Sequence, residues 1–217
     1  METEKLRKIK NCFRQAMNAD LSASMREHGL DYRINFGVPS PRIKLIAEQF
    51  EPDAADAQYL WEEDVRESKM LATYLYPAAE MTRETADSWA RAIRYPEIAD
   101  QAAMNLFVKL PFATDLALEW IASSEPMLRY TGLRLLVRLF LARKAPAISA
   151  APAVMAVLRT ELLSDVAYLR QVAMALAEKL ADADEPWRSA LAETLRPWRE
   201  VDEARRGLHE FICYWEY

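Results

Sequence analysis

Four stretches of this chain can be laid over one another in a single register. They are V-R-E-S-K-M-L-A-T-Y-L from Val65, A-D-Q-A-A-M-N-L-F-V-K-L from Ala99, L-R-Y-T-G-L-R-L-L-V-R-L from Leu128 and L-R-Q-V-A-M-A-L-A-E-K-L from Leu169. Position six is a large apolar residue in every copy, Met70, Met104, Leu133 and Met174, and positions four and five are small or short in most. In the last copy Leu169, Val172, Ala173, Leu176, Ala177 and Leu180 recur at steps of three and four, as do Leu133, Leu136, Val137, Phe140 and Leu141 in the copy before it. That period lines one face of an α-helix with apolar side chains. A chain that repeats one half-buried helix has to stack the copies, because a single copy has nothing of its own on which to bury that face.

Each repeated helix is preceded by a shorter apolar-periodic segment, such as Thr85, Ala86, Trp89, Ala90 and Ile93. Pro77, Pro96, Pro111, Pro126 and Pro146 fall near the boundaries of these segments, where a missing N–H is tolerated. Ser40 followed by Pro41 reads as an N-cap and a first helical residue, with Ile43, Ile46, Ala47 and Phe50 on the buried face. The unit is a helix pair of roughly 30 to 40 residues, the length of HEAT-type repeats. The expected fold is all-α, an α-solenoid of HEAT-like antiparallel helix pairs forming one domain over residues 1–217, with a curved face lined by the second helix of each pair. Only 4 glycines in 217 residues agree with helices rather than hairpins. Trp61, Trp89 and Trp120 sit at apolar positions of the shorter helices and are expected in the core. Trp187, Trp198 and Trp215 belong to a C-terminal cap, where F-I-C-Y-W-E-Y, after a last helix from about Val201, is expected to seal the final pair.

Several function classes are disfavoured. Cys12 and Cys213 form no C-x-x-C pair, and His28 and His209 are isolated, so neither a metal nor another cofactor is expected. The N-terminus is charged throughout, and no run of about 18 apolar residues occurs, which points to a soluble cytoplasmic protein with no membrane partner. No G-x-S-x-G elbow, phosphate loop, H-E-x-x-H or glycine-rich dinucleotide turn is present. Any chemistry then falls to carboxylates, arginines and aromatic rings. Hydrolysis through a stabilised cation suits that set, because a carboxylate can steady an oxocarbenium-like transition state and position water.

Position two of the register reads Arg66, Asp100, Arg129 and Arg170, so Asp100 breaks the charge of the repeat and is the candidate carboxylate. It has three readings: a member of a ladder of ion pairs between Arg66 and Arg129, a catalytic group, or an exposed carboxylate without function. The cations also have two. Arg66, Arg129 and Arg170, with Lys69 one turn beyond Arg66, line a shared groove and neutralise phosphates, or they are paired on the helix surface. Net charge is −5, with 12 acidic and 6 basic residues over 51–110, whereas Pro126 to Lys144 holds five basic residues and no acid. A local patch can outweigh the total.

The segments N-F-G-V-P-S-P-R-I-K-L-I-A from Asn35 and R-Y-P-E-I-A-D-Q from Arg94, together with the helix-pair pattern, resemble the AlkD-like DNA alkylation repair family. The resemblance implies HEAT-like repeats holding duplex DNA in a concave groove. It further implies a glycosylase that releases N3- or N7-alkylated purines with a carboxylate beside the deoxyribose, without drawing the base into a deep pocket. Asp100 falls where that catalytic aspartate stands, and Arg66, Lys69, Arg129, Tyr130 and Arg170 are the residues expected to meet DNA. Tyr95 and Pro96 occupy the family's tryptophan pair, Tyr130 aligns with an active-site arginine, with Arg129 one position early, and Ala175 aligns with a further tryptophan. Three outcomes stay open: a divergent glycosylase, a DNA binder without activity, and a repeat protein that kept only the fold. A non-enzymatic scaffold binding a protein or peptide partner suits the acidic stretch from Glu51 to Asp100 better.

Overall fold

The computed structural model describes residues 3–213, and among these every regular element is helical apart from a single bridge between Ile34 and Val65. The backbone separates into two compact units, residues 1–110 and 111–217.

The first unit holds α1 (Glu4–Gln15), α2 (Ala19–Glu27), α3 (Ser40–Ala47), α4 (Ala54–Glu62), α5 (Arg66–Leu75), α6 (Arg83–Arg91) and α7 (Pro96–Asn105), and closes on a 3-10 turn at Phe107–Lys109. Polar N-caps start α1, α2, α4 and α6. Thr3, Asn18, Asp53 and Thr82 accept N–H bonds from Leu6, Leu21, Asp56 and Thr85, which satisfies donors that a helix start leaves open. Helix α3 begins one residue earlier than the sequence suggests. Pro39 is its N-cap and Ser40 its first residue, without a side-chain cap, because the φ fixed by Pro39 already sets the chain direction. Ile43, Ile46 and Ala47 are buried as expected. Helices α4 and α5 pack as a hairpin, and α5 also packs on α3 and α7. At the centre Trp61 and Trp89 stack with ring centroids 4.1 Å apart, Tyr76 meets Trp89 edge-on at 5.2 Å, and Trp89 Nε1 donates to Gln58 at 2.8 Å.

The second unit holds α8 (Ala113–Ile121), α9 (Pro126–Leu141), α10 (Ala151–Glu161), α11 (Ala167–Ala181), α12 (Glu185–Leu195) and α13 (Glu203–Cys213), with 3-10 turns at Ile148–Ala150 and Arg196–Glu200. Helix α9 lies between α8 and α11. Gly132 permits this: a Cβ there would lie 2.7 Å from the Ile121 nitrogen and 3.0 Å from the Ala117 carbonyl, so α8 and α9 touch backbone to side. Trp120, Trp187 and Trp198 are buried. In the C-terminal segment Ile212 is buried and Phe211 is half-exposed, while the last residues, Trp215 included, lie outside those described.

Each shorter helix is followed by its longer or equal partner, α4 by α5, α6 by α7, α8 by α9 and α10 by α11, and these partners are the four repeated segments. Their register is not quite the one read from sequence. Arg129 and Arg170 are each the fourth residue of their helix, and so is Lys69, whereas Arg66 is the first residue of α5 and Asp100 the fifth of α7. The shift of one in α7 is within the fraying of helix ends. In α5 the shift of three is real: Lys69, not Arg66, is the counterpart of Arg129 and Arg170. Matching Met70 to Leu133 aligned the apolar faces but ignored where each helix starts.

Candidate nucleic-acid interface

The three cations at the fourth position do one local job. Lys69 Nζ donates to the Trp61 carbonyl at 2.5 Å, Arg129 Nη1 to Ser123 at 2.8 Å and Arg170 Nη1 to Ser164 at 2.6 Å. Each ties the second helix of a pair to carbonyls at or just beyond the end of the first, where the helix dipole favours a cation. The connections before α9 and α11 are also built alike. Ser123 Oγ accepts the Glu125 N–H at 3.1 Å, and Ser164 Oγ accepts that of Val166 at 3.2 Å. Beyond this the three diverge. Arg129 Nε lies 2.8 Å from the buried carboxylate of Glu161, Arg170 is exposed, and Lys69 sits over the Trp61 ring at 5.1 Å. Burial pulls the Lys69 pKa below the ordinary lysine value, against the pull of Asp64 and with help from Arg94.

Arg66 is 2% exposed and its guanidinium is fully engaged inside the first unit. Nε and Nη2 reach both carboxylate oxygens of Glu97 at 2.8 and 3.0 Å, and Nη1 donates to the Val38 carbonyl at 2.9 Å and to Glu67 at 3.1 Å. Glu67, wholly buried, accepts the N–H groups of Phe36 and Val38 at 3.0 and 3.1 Å. The pair therefore pins the N-F-G-V loop to the heads of α5 and α7. On the ladder reading of Asp100, Arg66 is one of its partners; in the structure Glu97, three residues earlier, takes that guanidinium.

Asp100 is half-buried in α7, on the stripe that also carries Pro96 and Met104 at four-residue steps, and Met104 is 37% exposed. Next to it Gln101 accepts from Tyr74 and Asn105, which fixes the inner side of the helix. Tyr130, in the second unit, is buried and meets Tyr168 edge-on at 5.6 Å.

One cluster joins the R-Y-P segment to residues far from it in sequence. Tyr32 and Tyr95 pack at 4.9 Å, and the Arg94 guanidinium lies over both rings, 5.5 and 5.6 Å from their centroids. Asp64 pairs with Arg94 and accepts the Arg33 N–H at 3.1 Å, and Tyr95 Oη accepts the Asp31 N–H at 2.9 Å. Arg94 is thus held on two sides while its side chain stays 50% exposed. A rigid planar fork on aromatic faces is suited to phosphate oxygens and to base planes. R-Y-P at 94–96 was visible in the sequence, but Tyr32 and Asp64 come from distant segments and carry no local signal.

Tyr32 is 3% exposed and its hydroxyl makes no hydrogen bond among the described residues. Burial raises its pKa far above the ordinary tyrosine value, Glu97 and Tyr95 adding to this and Arg66 and Arg94 opposing it. Below about pH 10 the folded and unfolded states both hold the proton; above it only the unfolded state releases it, so this group costs stability as pH rises. Tyr32→Phe is expected to gain about 1 kcal/mol at pH 7 and to flatten the alkaline decline. Thermal melts of both proteins at pH 7, 10 and 11 check this; parallel curves would count against it.

Among the described residues no group of His, Cys, Asp and Glu is placed to hold a metal ion, and no helix is long and apolar enough to cross a membrane.

A family model described as DNA alkylation repair enzyme matches residues 9–208. No curated protein sequence matches the chain. A solved structure from a new family of proteins related to the HEAT-like repeat DNA glycosylases, with affinity for branched DNA structures, superposes with a TM-score of 0.79. That match covers 96% of this chain and 94% of the other at 15% identity, a likeness of fold.

Proposed function

The chain belongs to the DNA alkylation repair enzyme family, and on that premise we propose that it binds DNA by its backbone and presents Asp100 to an N-glycosidic bond. The observation that carries this reading is Arg94, laid over the rings of Tyr32 and Tyr95 yet half-exposed, immediately ahead of the helix that holds Asp100. Arg94 and the exposed Arg33 beside it meet phosphates. Arg170, with one Nη turned inward, keeps the rest of its fork for a second contact. Lys69 and Arg129 act by tying the second helix of each pair to the first, the charge of Arg129 answered by Glu161, and Arg66 acts by holding the N-F-G-V loop and the head of α7. Tyr130 supports the packing around Arg129.

The chemistry asked of Asp100 is modest. An alkylated purine is already cationic, so the C1′–N bond breaks with its electron pair going to the base, and no acid need protonate the leaving group. The carboxylate steadies the positive sugar, and water adds at C1′ and gives up a proton. The solved relative's affinity for branched DNA adds junctions to the substrates worth testing.

Binding to a duplex and to a four-way junction, measured between 50 and 200 mM salt, is expected to weaken steeply, and Arg94→Ala to lower the salt slope by about 1. No retention of either DNA at low salt, with recovery of a stable protein partner instead, would overturn the DNA reading. Release of alkylpurine from methylated duplex is expected to fall about 100-fold or more in Asp100→Asn with binding intact. Equal release by both proteins removes Asp100 from the chemistry.

A further inference from the structure

At the far end of α9 the second unit contains a cavity of about 440 Å³. Two of its lining residues forgo the local role that their positions invite. Helix α9 ends with the Lys144 N–H bonded to Leu139 at 2.8 Å and the Arg143 N–H bonded to Phe140 at 3.1 Å. This double closure puts the residue between into the left-handed region, where glycine is strongly preferred. Arg143 stands there with φ 56°, the one non-glycine residue with positive φ among those described. Across the cavity Asp184 is the N-cap of α12, but its carboxylate accepts no first-turn N–H, unlike Asp53, which caps α4 through Asp56 at 2.8 Å. Both side chains are exposed at the mouth of the cleft, and neither has a hydrogen-bond or ion-pair partner among the described residues. Both belong to one lining, and backbone conformations held against preference concentrate where they serve a ligand.

The rest of the lining narrows the chemistry. Phe140 and Trp187 meet edge to face at 5.2 Å and form an apolar wall, and Lys179 is paired with Asp182 at 3.2 Å. A simple anion would face the carboxylates of Asp182 and Asp184; a simple cation would face Arg143 and Lys179. A ligand that answers all of them has a planar body, an anionic group and an amino donor. We propose that this cavity binds a nucleotide with an amine where guanine and thymine carry a carbonyl, adenine or cytosine, with its phosphate on Arg143, its amine on Asp184 and its base against Phe140. Carboxylates accept from such amines, and the volume lies in the usual range for small-molecule sites. The site is independent of the DNA contact assigned to Arg94, which lies in the first unit.

Titration of the whole protein with dAMP, dCMP, dTMP, inorganic phosphate and a 5′-phosphorylated single-stranded oligonucleotide tests this. We expect dAMP or dCMP to bind at least about tenfold more tightly than dTMP or phosphate, and Asp184→Asn to narrow that gap. Binding of the oligonucleotide but of no free nucleotide identifies a strand end as the source of the same group. Arg143→Gly is the decisive variant: its melting temperature without ligand is expected to rise while nucleotide affinity falls at least about tenfold. Unchanged affinity in Arg143→Gly, or no binding of any of these ligands at millimolar concentration, overturns the proposal.

Discussion

An Arg66→Ala protein is expected to lose about 3–5 kcal/mol of unfolding free energy, the usual penalty for removing one partner of a buried ion pair. Arg66 is 2% exposed, and its loss strands Glu67, which is wholly buried, with two backbone N–H groups as its remaining partners. Glu97 loses a two-point contact in the same step. The substitution also removes the donor to the Val38 carbonyl, so the N-F-G-V loop loses a tether at its Val38 end. Arg66→Lys should recover little, because an ammonium cannot reach three acceptors in one plane. Urea denaturation of the wild type and both variants measures this, and a loss under about 1 kcal/mol would mean that the network carries little of the stability. Hydrogen exchange should show the opening in α5, α7 and residues 35–38 first.

Gly37→Ala is the second large effect, expected to cost about 2–5 kcal/mol from two terms that act together. Gly37 has φ +70°, where an L-residue loses about 1–2 kcal/mol. An added Cβ would also land on the Asn18 carbonyl oxygen and lie 2.7 Å from the Ser22 nitrogen. These are backbone atoms of the α2 start that cannot turn aside, and overpacking of this kind costs about 1–3 kcal/mol. The clash falls on a junction already tied by the Asn18 N–H to Phe36 and by Ser22 Oγ to Asn35, at 2.9 and 2.7 Å. Thermal or urea unfolding of the variant gives the number, and a wild-type midpoint would show that the loop moves freely. Since Gly37 and Arg66 hold the same loop, the double variant should lose less than the sum of the two.

Much of the candidate site was legible because it depends on periodicity and punctuation. The helices starting at Pro96 and Pro126, the buried Trp61, Trp89 and Trp120, and the cations preceding or opening the second helices are all local patterns. Arg66 shows where legibility stops. In sequence it is one more arginine in a repeat, as open to solvent as Arg170. Its burial comes from Val38 and Glu97, 28 and 31 residues away, and no spacing rule marks those partners. Tyr32 and Asp64 were missed for the same reason, as was the left-handed Arg143, whose meaning depends on Asp184 across a cavity.

The sequence by itself determined a repeated amphipathic helix, the pairing of each with a shorter neighbour and the all-α class, because helical periodicity, caps and prolines act over a few residues. It also carried the family. Only the tertiary structure decided which cations are spent inside and which face outward, since desolvation and ion pairing depend on neighbours the chain brings from far away. Lys69, Arg129 and Arg170 tie helix ends, Arg66 is sealed in the core of its unit, and Arg94, which opens a family motif but has no marked role in sequence, is the cation that two tyrosines and an aspartate hold at the surface.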